Sequence, residues 1–225
     1  METVVILCDG DFPRKPYPQY LLDTADAVVC CDNAVVKYLK YTQKRFGAEK
    51  WPAAVVGDMD SLSPALRNRL DSIIFRESEQ DDNDLTKAVR YVLSMYPGVT
   101  AIHVLGGTGR REDHTVGNMS LLMEYPRLFG LAGLPEQSHG PVIDMISDHG
   151  TMFAVTDSCE LAVGEGRRVS LFSPDNSLTL KSEGLVWPTD AVVFDNWWKA
   201  TLNRASQDTV RLHFSHPSRV LVCLD

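Results

Sequence analysis

Over roughly its first 130 residues the chain alternates short apolar runs of strand length with stretches of helical period, and this alternation limits the possible folds most. TVVILC (3–8), AVVCCD (27–32), AAVVGD (53–58), IIFRE (73–77) and TAIHVLGG (100–107) read as strands. NAVVKYLKYTQKRF (33–46), SPALRNRLDS (63–72), DLTKAVRYVLSMY (84–96) and HTVGNMSLLMEY (114–125) read as helices. Ser63 and Pro64 suit the N-cap and first helical position of the second helix. Pro97-Gly98 stops the third helix and Pro126 the fourth. Alternation of this kind predicts an α/β domain, a mostly parallel sheet flanked by helices.

After residue 141 the pattern changes. VIDMISD, GTMFAVT, CELAV, RRVSLFS, SLTLKSE, AVVFDNWW, VRLHFSH and RVLVCLD are strand-length segments set apart by Gly, Pro, Asp or Asn, with no helical period among them. Such spacing predicts an all-β sandwich or small barrel. With LAGLPEQSHGP (131–141) as linker, the expected domains are residues 1–145 and 146–225.

A net charge of −8 argues against sequence-independent nucleic-acid binding, which needs a basic face. It does not exclude anionic substrates, because a bound cation inverts the local field. The five cysteines are odd in number, lie mostly in apolar runs and show no C-x-x-C spacing, so they read as reduced core thiols. METVVILCDG lacks a basic leader region and reads as a first strand; a cytoplasmic protein is the expectation.

In an open parallel sheet, ligands bind beyond the carboxyl ends of the strands. Here those ends carry Asp9 and Asp11, then Asp32, then Asp58 and Asp60 in GDMDS, then Glu79 to Asp84, then GGTGRREDH (106–114). If the chain stays extended through Met59, Asp58 and Asp60 face one way and repel unless a cation or a proton intervenes. The plainer alternative is a solvated loop with a capping aspartate. Asp81, Asp84 and Lys87 share one arc if the third helix starts at Asp81, beside the apolar stripe of Leu85, Ala88, Val89, Val92 and Leu93. Capping by Asp81 or Asp82 accounts for one or two of these acids, but not for three beside a lysine on the ligand edge. Hard carboxylates suit Mg²⁺, which keeps waters and substrate phosphates in its shell. Lys87, Arg110 and Arg111 suit phosphate oxygens, helped by amides of the 106–109 turn. No P-loop and no G-x-G-x-x-G is present. These residues predict a Mg²⁺-dependent enzyme acting on a polyphosphate.

The same segments, in order, resemble the thiamine pyrophosphokinase family. CDNA (31–34), GDMDS (57–61), QDDNDLTKA (80–88) and GGTGRREDHTVGN (106–118) are similar to its motifs in the first domain; GRRVSLFS (166–173) and GLVWP (184–188) are similar to those of its β-domain. The resemblance implies transfer of diphosphate from ATP to the hydroxyethyl group of thiamine, giving thiamine diphosphate and AMP. It also implies an ATP-binding catalytic domain, a thiamine-binding and dimerisation domain, and a homodimer with thiamine near the subunit interface. By motif position, Asp58, Asp60 and Asp84 would hold Mg²⁺, while Asp81, Lys87, Arg111 and Asp113 would orient the nucleotide and the attacking alcohol. Asp32, Ser61, Gln80, Thr108, Arg110, His114, Trp198 and Asn203 would complete the substrate and nucleotide contacts. Asp81, Asp113 and His114 compete as acceptor of the alcohol's proton. The chain departs from the family at Asn83, where a threonine is usual, and at Thr201-Leu202-Asn203, where a Ser-Asn pair is usual. Gly109-Arg110-Arg111 leaves open which arginine meets phosphate. One of Trp197 and Trp198 is expected to stack on the thiazolium; Trp187 and Trp51 are expected in the core. A pyrophosphokinase for another small alcohol such as a hydroxymethylpterin, and a silent nucleotide- or thiamine-binding module, are the alternatives. CDGD (8–11) also raises an aspartyl-phosphate phosphatase, but lacks that class's D-x-D continuation.

Overall fold

A computed structural model describes residues 2–77 and 82–225; Gln80 and Asp81 lie outside the described residues. The strands β1 (Glu2–Leu7), β2 (Ala27–Cys31), β3 (Ala54–Gly57), β4 (Ile74–Arg76) and β5 (Val99–Leu105) form a parallel sheet in the order β5-β1-β2-β3-β4. β2 and β3 are buried along their whole length, as strands covered on both faces must be. Helices α2 (Ala34–Phe46) and α4 (Asp84–Met95) pack on this sheet, and Leu85, Ala88, Val89 and Val92 of α4 are buried as their spacing requires. α3 (Pro64–Leu70) starts as expected, with the Ser63 hydroxyl accepting from the Leu66 amide.

Two helical details differ from expectation. α1 (Pro16–Thr24) has no counterpart in the periodicity reading, because Pro16 and Pro18 make PYPQYLLDT look like a loop. Both prolines sit in the first turn, where no amide partner is needed. α5 (Glu112–Phe129) runs through Pro126 instead of stopping there. It ends at Gly130, whose φ of 71° lets its amide reach the Pro126 carbonyl.

The strands β6 (Val142–Ser147), β7 (Gly150–Val155), β8 (Cys159–Ala162), β9 (Arg168–Phe172), β10 (Leu180–Glu183), β11 (Ala200–Arg204), β12 (Thr209–Phe214) and β13 (Val220–Leu224) follow. β7-β13-β9-β11 pair antiparallel, as do β10-β12-β8. Phe153, Leu171 and Val222 from the first set and Leu161, Leu180 and Leu212 from the second belong to one core, which makes a sandwich. AVVFDNWW (191–198) is not a strand: it closes in turns, Val192 N–H to Thr189 O and Lys199 N–H to Asn196 O, and only Phe194 of its apolar residues is buried. The strand of this region is β11, just downstream. Trp187 and Trp51, expected inside, are 60 % and 44 % exposed.

By contacts the chain divides into one unit of Met1–Asn118 with Met145–Asp148 and another of Met119–Asp144 with His149–Asp225, so the cuts fall within α5, within β6 and in the turn between β6 and β7. No helix among the described residues is long and apolar enough to cross a membrane.

Candidate active site

The first unit brings its acids to the carboxyl ends of β1, β2 and β3. Asp9, Asp32 and Asp58 follow those strands, and with Ser61, Asp84, Lys87, Arg110, Arg111, His114 and Asn118 they line a cleft of about 440 Å³. The backbone bends sharply to make this edge: Asp32 and Met59 both adopt positive φ, 43° and 67°. Strain of that kind persists only where surrounding structure fixes it, and it concentrates at functional sites. At Met59 the fixing is visible, since its side chain is fully buried in the core beneath the sheet.

That turn corrects the extended geometry expected for GDMDS. With Met59 left-handed, the Asp60 amide donates to Asp58 Oδ1 (2.9 Å), Asp58 faces the cleft, and Asp60 is exposed outside its lining. Gly57 has a positional reason too. A Cβ there would lie 3.2 Å from the Asp32 Cβ and 3.3 Å from Asp84 Oδ1, so a bare backbone lets β2 and α4 deliver their acids side by side.

The acids strain one another electrostatically. Burial, and then the charges of Asp58, Asp9 and Asp60, raise the Asp32 carboxyl above its ordinary range, against the lowering effect of the Ser61 hydroxyl that donates to Asp32 Oδ2. Asp84 is raised by burial and by Asp32 and Asp58, with Lys87 and His114 opposing. Asp32 Oδ1 is buried and has no hydrogen-bond partner among the described residues. A carboxylate oxygen in that position, beside two more carboxylates, can be satisfied by a cation or by a proton.

Helix α4 begins at Asp84, capped by Asn83, whose side chain accepts from the Thr86 amide (2.9 Å). The helix opens at Asp84, as its sequence pattern predicts, and the residue at position 83 that is unusual for the family is the cap itself. Asn83 Nδ2 also donates to Asn118 Oδ1 (2.9 Å), and Asn118 Nδ2 donates to the Gly107 carbonyl (2.7 Å), so two amides tie α4, α5 and the glycine turn together. Lys87 is only 3 % exposed; its Nζ reaches the Glu77 carbonyl (3.2 Å) and stands 3.9 Å from Asp84 Oδ1.

Of the other expected residues, Arg111 pairs with Asp113 at 2.6 Å in solvent, and that pairing lowers the Asp113 carboxyl below its ordinary range. His114 lines the cleft, while Thr108 contributes its backbone, its carbonyl accepting from the Asp11 amide. In the second unit, Trp198 is half exposed and Trp197 packs on Phe172 (5.1 Å between centroids). Asn203 is buried, and its side-chain amide is spent on the Trp187 backbone in both directions (2.6 and 3.2 Å). It holds the turn carrying Trp187.

Asp9 and Asn118 line the cleft and Lys37 pairs with Asp9; the sequence reading gave none of the three a role. Lys37 sits on the polar side of an ordinary amphipathic helix, and only its contacts with Asp9 reveal its place. Asp9 shared its strand end with Asp11, and Asn118 closes the 106–118 motif, so these two had a signal.

Comparison with known proteins bears on the family and the fold. A family model described as "Thiamin pyrophosphokinase, catalytic domain" matches residues 18–129, and one described as "Thiamin pyrophosphokinase, substrate-binding domain" matches residues 150–222. Thiamine pyrophosphokinase 1 of Oryza sativa subsp. japonica is 28 % identical over 92 % of this chain and 82 % of its own length. The yeast thiamin pyrophosphokinase structure superposes with a TM-score of 0.72 at 18 % identity, covering 100 % of this chain and 86 % of that one. The Candida albicans thiamin pyrophosphokinase does so with 0.72 at 17 %, covering 99 % and 88 %. Two domain models in the right order, a relative along nearly the whole chain and a common fold together place this chain in the thiamin pyrophosphokinase family.

Proposed function

We propose that the chain transfers the terminal diphosphate of ATP to the hydroxyethyl oxygen of thiamine, releasing AMP, with the first unit's cleft holding the nucleotide. The observation that carries this reading is the crowd of carboxylates at one sheet edge, with Asp32 and Asp84 raised above their ordinary range and a buried unpartnered oxygen on Asp32, in a member of this family.

Among the described residues no three His, Cys, Asp or Glu side chains converge closely enough to hold a metal alone. Mg²⁺ commonly takes one or two carboxylates and fills its shell with phosphate oxygens and water. Asp58 and Asp84, with Asp32 beside them, fit the ion; Asp60, turned outward, supports them at longer range. When bound, Mg²⁺ neutralises phosphate charge as the bond to AMP breaks.

The protein's own contribution is positioning and charge. Lys87, held by the Glu77 carbonyl, faces the cleft as a buried cation against the phosphates. The thiamine alcohol attacks the β-phosphorus and gives up its proton, and the bond from that phosphorus to the AMP oxygen breaks. His114 lines the cleft and is better placed to take the proton than Asp113, which is bound to Arg111 and weakened as a base. Gln80 and Asp81 keep the roles their motif implies, nucleotide contact and a rival proton acceptor.

A second copy of the chain completes the site in this reading. The second unit exposes Val186, Trp187, Val193, Trp197, Trp198 and Leu202 within a short span of sequence, and Leu202 is 85 % exposed at a positive φ of 60°. Large apolar side chains so gathered fit an interface, where a tryptophan face can also meet the cationic thiazolium. Leu202→Glu should shift the protein to monomer by sedimentation at micromolar concentration; an unchanged dimer would remove this face from the interface. The free thiols go with a cytoplasmic setting in this reading.

The function is tested by incubating the protein with ATP, Mg²⁺ and thiamine. AMP should appear in step with thiamine diphosphate. ADP would mean single phosphoryl transfer, AMP with a hydroxymethylpterin alone would mean another acceptor, and ATP binding without turnover would mean a silent module.

A further inference from the structure

Three cations line the cleft, and their partners differ. Lys87 is occupied by the Glu77 carbonyl and Asp84. Arg111 is paired with Asp113 in solvent. Arg110 is held on one edge only: its Nη1 donates to the Asp9 carbonyl (2.8 Å) and to the Asp9 carboxylate. Among the described residues its Nε and Nη2 have no partner, so the other edge of the fork is unspent in a residue that lines the cleft. A guanidinium with one edge fixed and one free is preorganised for bidentate contact with phosphate.

What fixes Asp9 is Lys37, one turn into α2. Its ammonium reaches Asp9 Oδ1 (2.9 Å), the Asp9 carbonyl (2.9 Å) and the Gly10 carbonyl (2.6 Å). Two of its donors are spent on the carbonyls and its charge is paired with the Asp9 carboxylate, so Lys37 is committed to this turn. The Arg110 backbone is likewise committed, at φ 63° immediately after Gly109 at φ 79°. Lys37, Asp9 and Arg110 thus form a chain of alternating charge from a helix to the cleft.

We propose that Lys37 and Asp9 are positioning residues that aim Arg110 at the triphosphate, making Arg110 the phosphate-gripping arginine of this chain. The inference rests on reading the cleft as the ATP site. Lys37 touches no substrate; it acts through Asp9 on Arg110.

The test is a double-mutant cycle on the full chain, read as KM for ATP, KM for thiamine and kcat. Arg110→Ala should raise KM for ATP by about 10–100-fold, the size of a lost charge-assisted contact. Lys37→Met should raise it about 10-fold, with KM for thiamine unchanged. The double variant should behave like Arg110→Ala alone, because Lys37 has no role once its target is gone. Asp9→Asn keeps the side-chain shape and Lys37's bonds to the carbonyls, so it stands in if Lys37→Met does not fold, and it should match the Lys37→Met effect. Additive effects, or equal rises in both KM values, would overturn the positioning role. A wild type that makes no AMP and binds no ATP by calorimetry would overturn the function as well, whereas failure of the cycle in an active enzyme overturns only this inference.

Discussion

Asp32→Asn should yield a protein that is more stable without ligand and at least about 100-fold slower, the scale on which one electrostatic contact to a reacting group usually acts. The stability half of this expectation comes from the carboxylate crowd. Asp32 is raised by burial and by Asp58, Asp9 and Asp60, so keeping it ionised costs folding free energy. Asparagine removes that charge, tolerates the φ of 43°, keeps an oxygen for the Ser61 hydroxyl, and offers an amide to the neighbouring carboxylates. A gain of about 1 kcal/mol, some 2–4 °C in Tm, is in the range that neutralising a strained active-site group yields. Asp84→Asn should be at least as damaging to turnover but should stabilise less. Burial, Asp32 and Asp58 raise its carboxyl too, but its charge also lies in the first turn of α4, favourable to the helix dipole, and 3.9 Å from Lys87, and both gains are lost with the charge.

The pH dependence carries the sign of the same effect. For Asp32 the folded pKa exceeds the unfolded one, so between them the native state binds more protons, and stability falls as pH rises through the folded value. The Tm advantage of Asp32→Asn should therefore be full at neutral pH and vanish in acid below the unfolded carboxylate range. Thermal scans of both proteins across that interval measure it. An advantage that grows toward acid, or a less stable variant at neutral pH, would mean that Asp32 is held by contacts and not strained by charge.

The sheet edge was legible because parallel-sheet geometry alone sends the residues after β1, β2 and β3 to one place. The strands of the first unit, the cap of α3 and the buried stripe of α4 followed from apolar period and terminal residues. Three kinds of feature were hidden. Met59 reads as a solvent-side residue between two acids, yet its left-handed backbone and full burial turn Asp60 away; no local propensity announces a positive φ at methionine. AVVFDNWW has the composition of a strand, but composition cannot say that a sheet offers it no partner, and its tryptophans end up exposed. Lys37 gains its place only from a carbonyl pair 27 and 28 residues earlier, a contact that no pattern within α2 encodes.

Gly10→Ala should be the most disruptive single methyl in the first unit. A Cβ at Gly10 would stand 2.2 Å from the Thr108 carbonyl oxygen and 2.3 Å from that of Gly106, and both obstacles are backbone. Neither can swing aside, because each accepts a hydrogen bond across the same contact: Gly10 N–H to Gly106 O and Asp11 N–H to Thr108 O, both 2.8 Å. Relieving the clash means separating the β1 turn from the 106–110 turn, with both bonds lost. Overpacking costs about 1–3 kcal/mol and each lost bond about 1 kcal/mol, so the expected loss is about 3 kcal/mol or more, roughly 6–12 °C for a chain of this size. The separation would also carry Arg110 from Asp9, so activity should fall further than stability explains at temperatures where the variant is folded. Gly117→Ala is the matched control: it lies in α5, its added methyl meets nothing within 4 Å, and it should stabilise by up to about 1 kcal/mol as alanine replaces glycine in a helix. Thermal unfolding of the two variants side by side separates a general intolerance of substitution from a specific backbone collision. Equal Tm values for Gly10→Ala and wild type would show that the two turns are free to part, and would take away the rigid frame on which the aim of Arg110 depends.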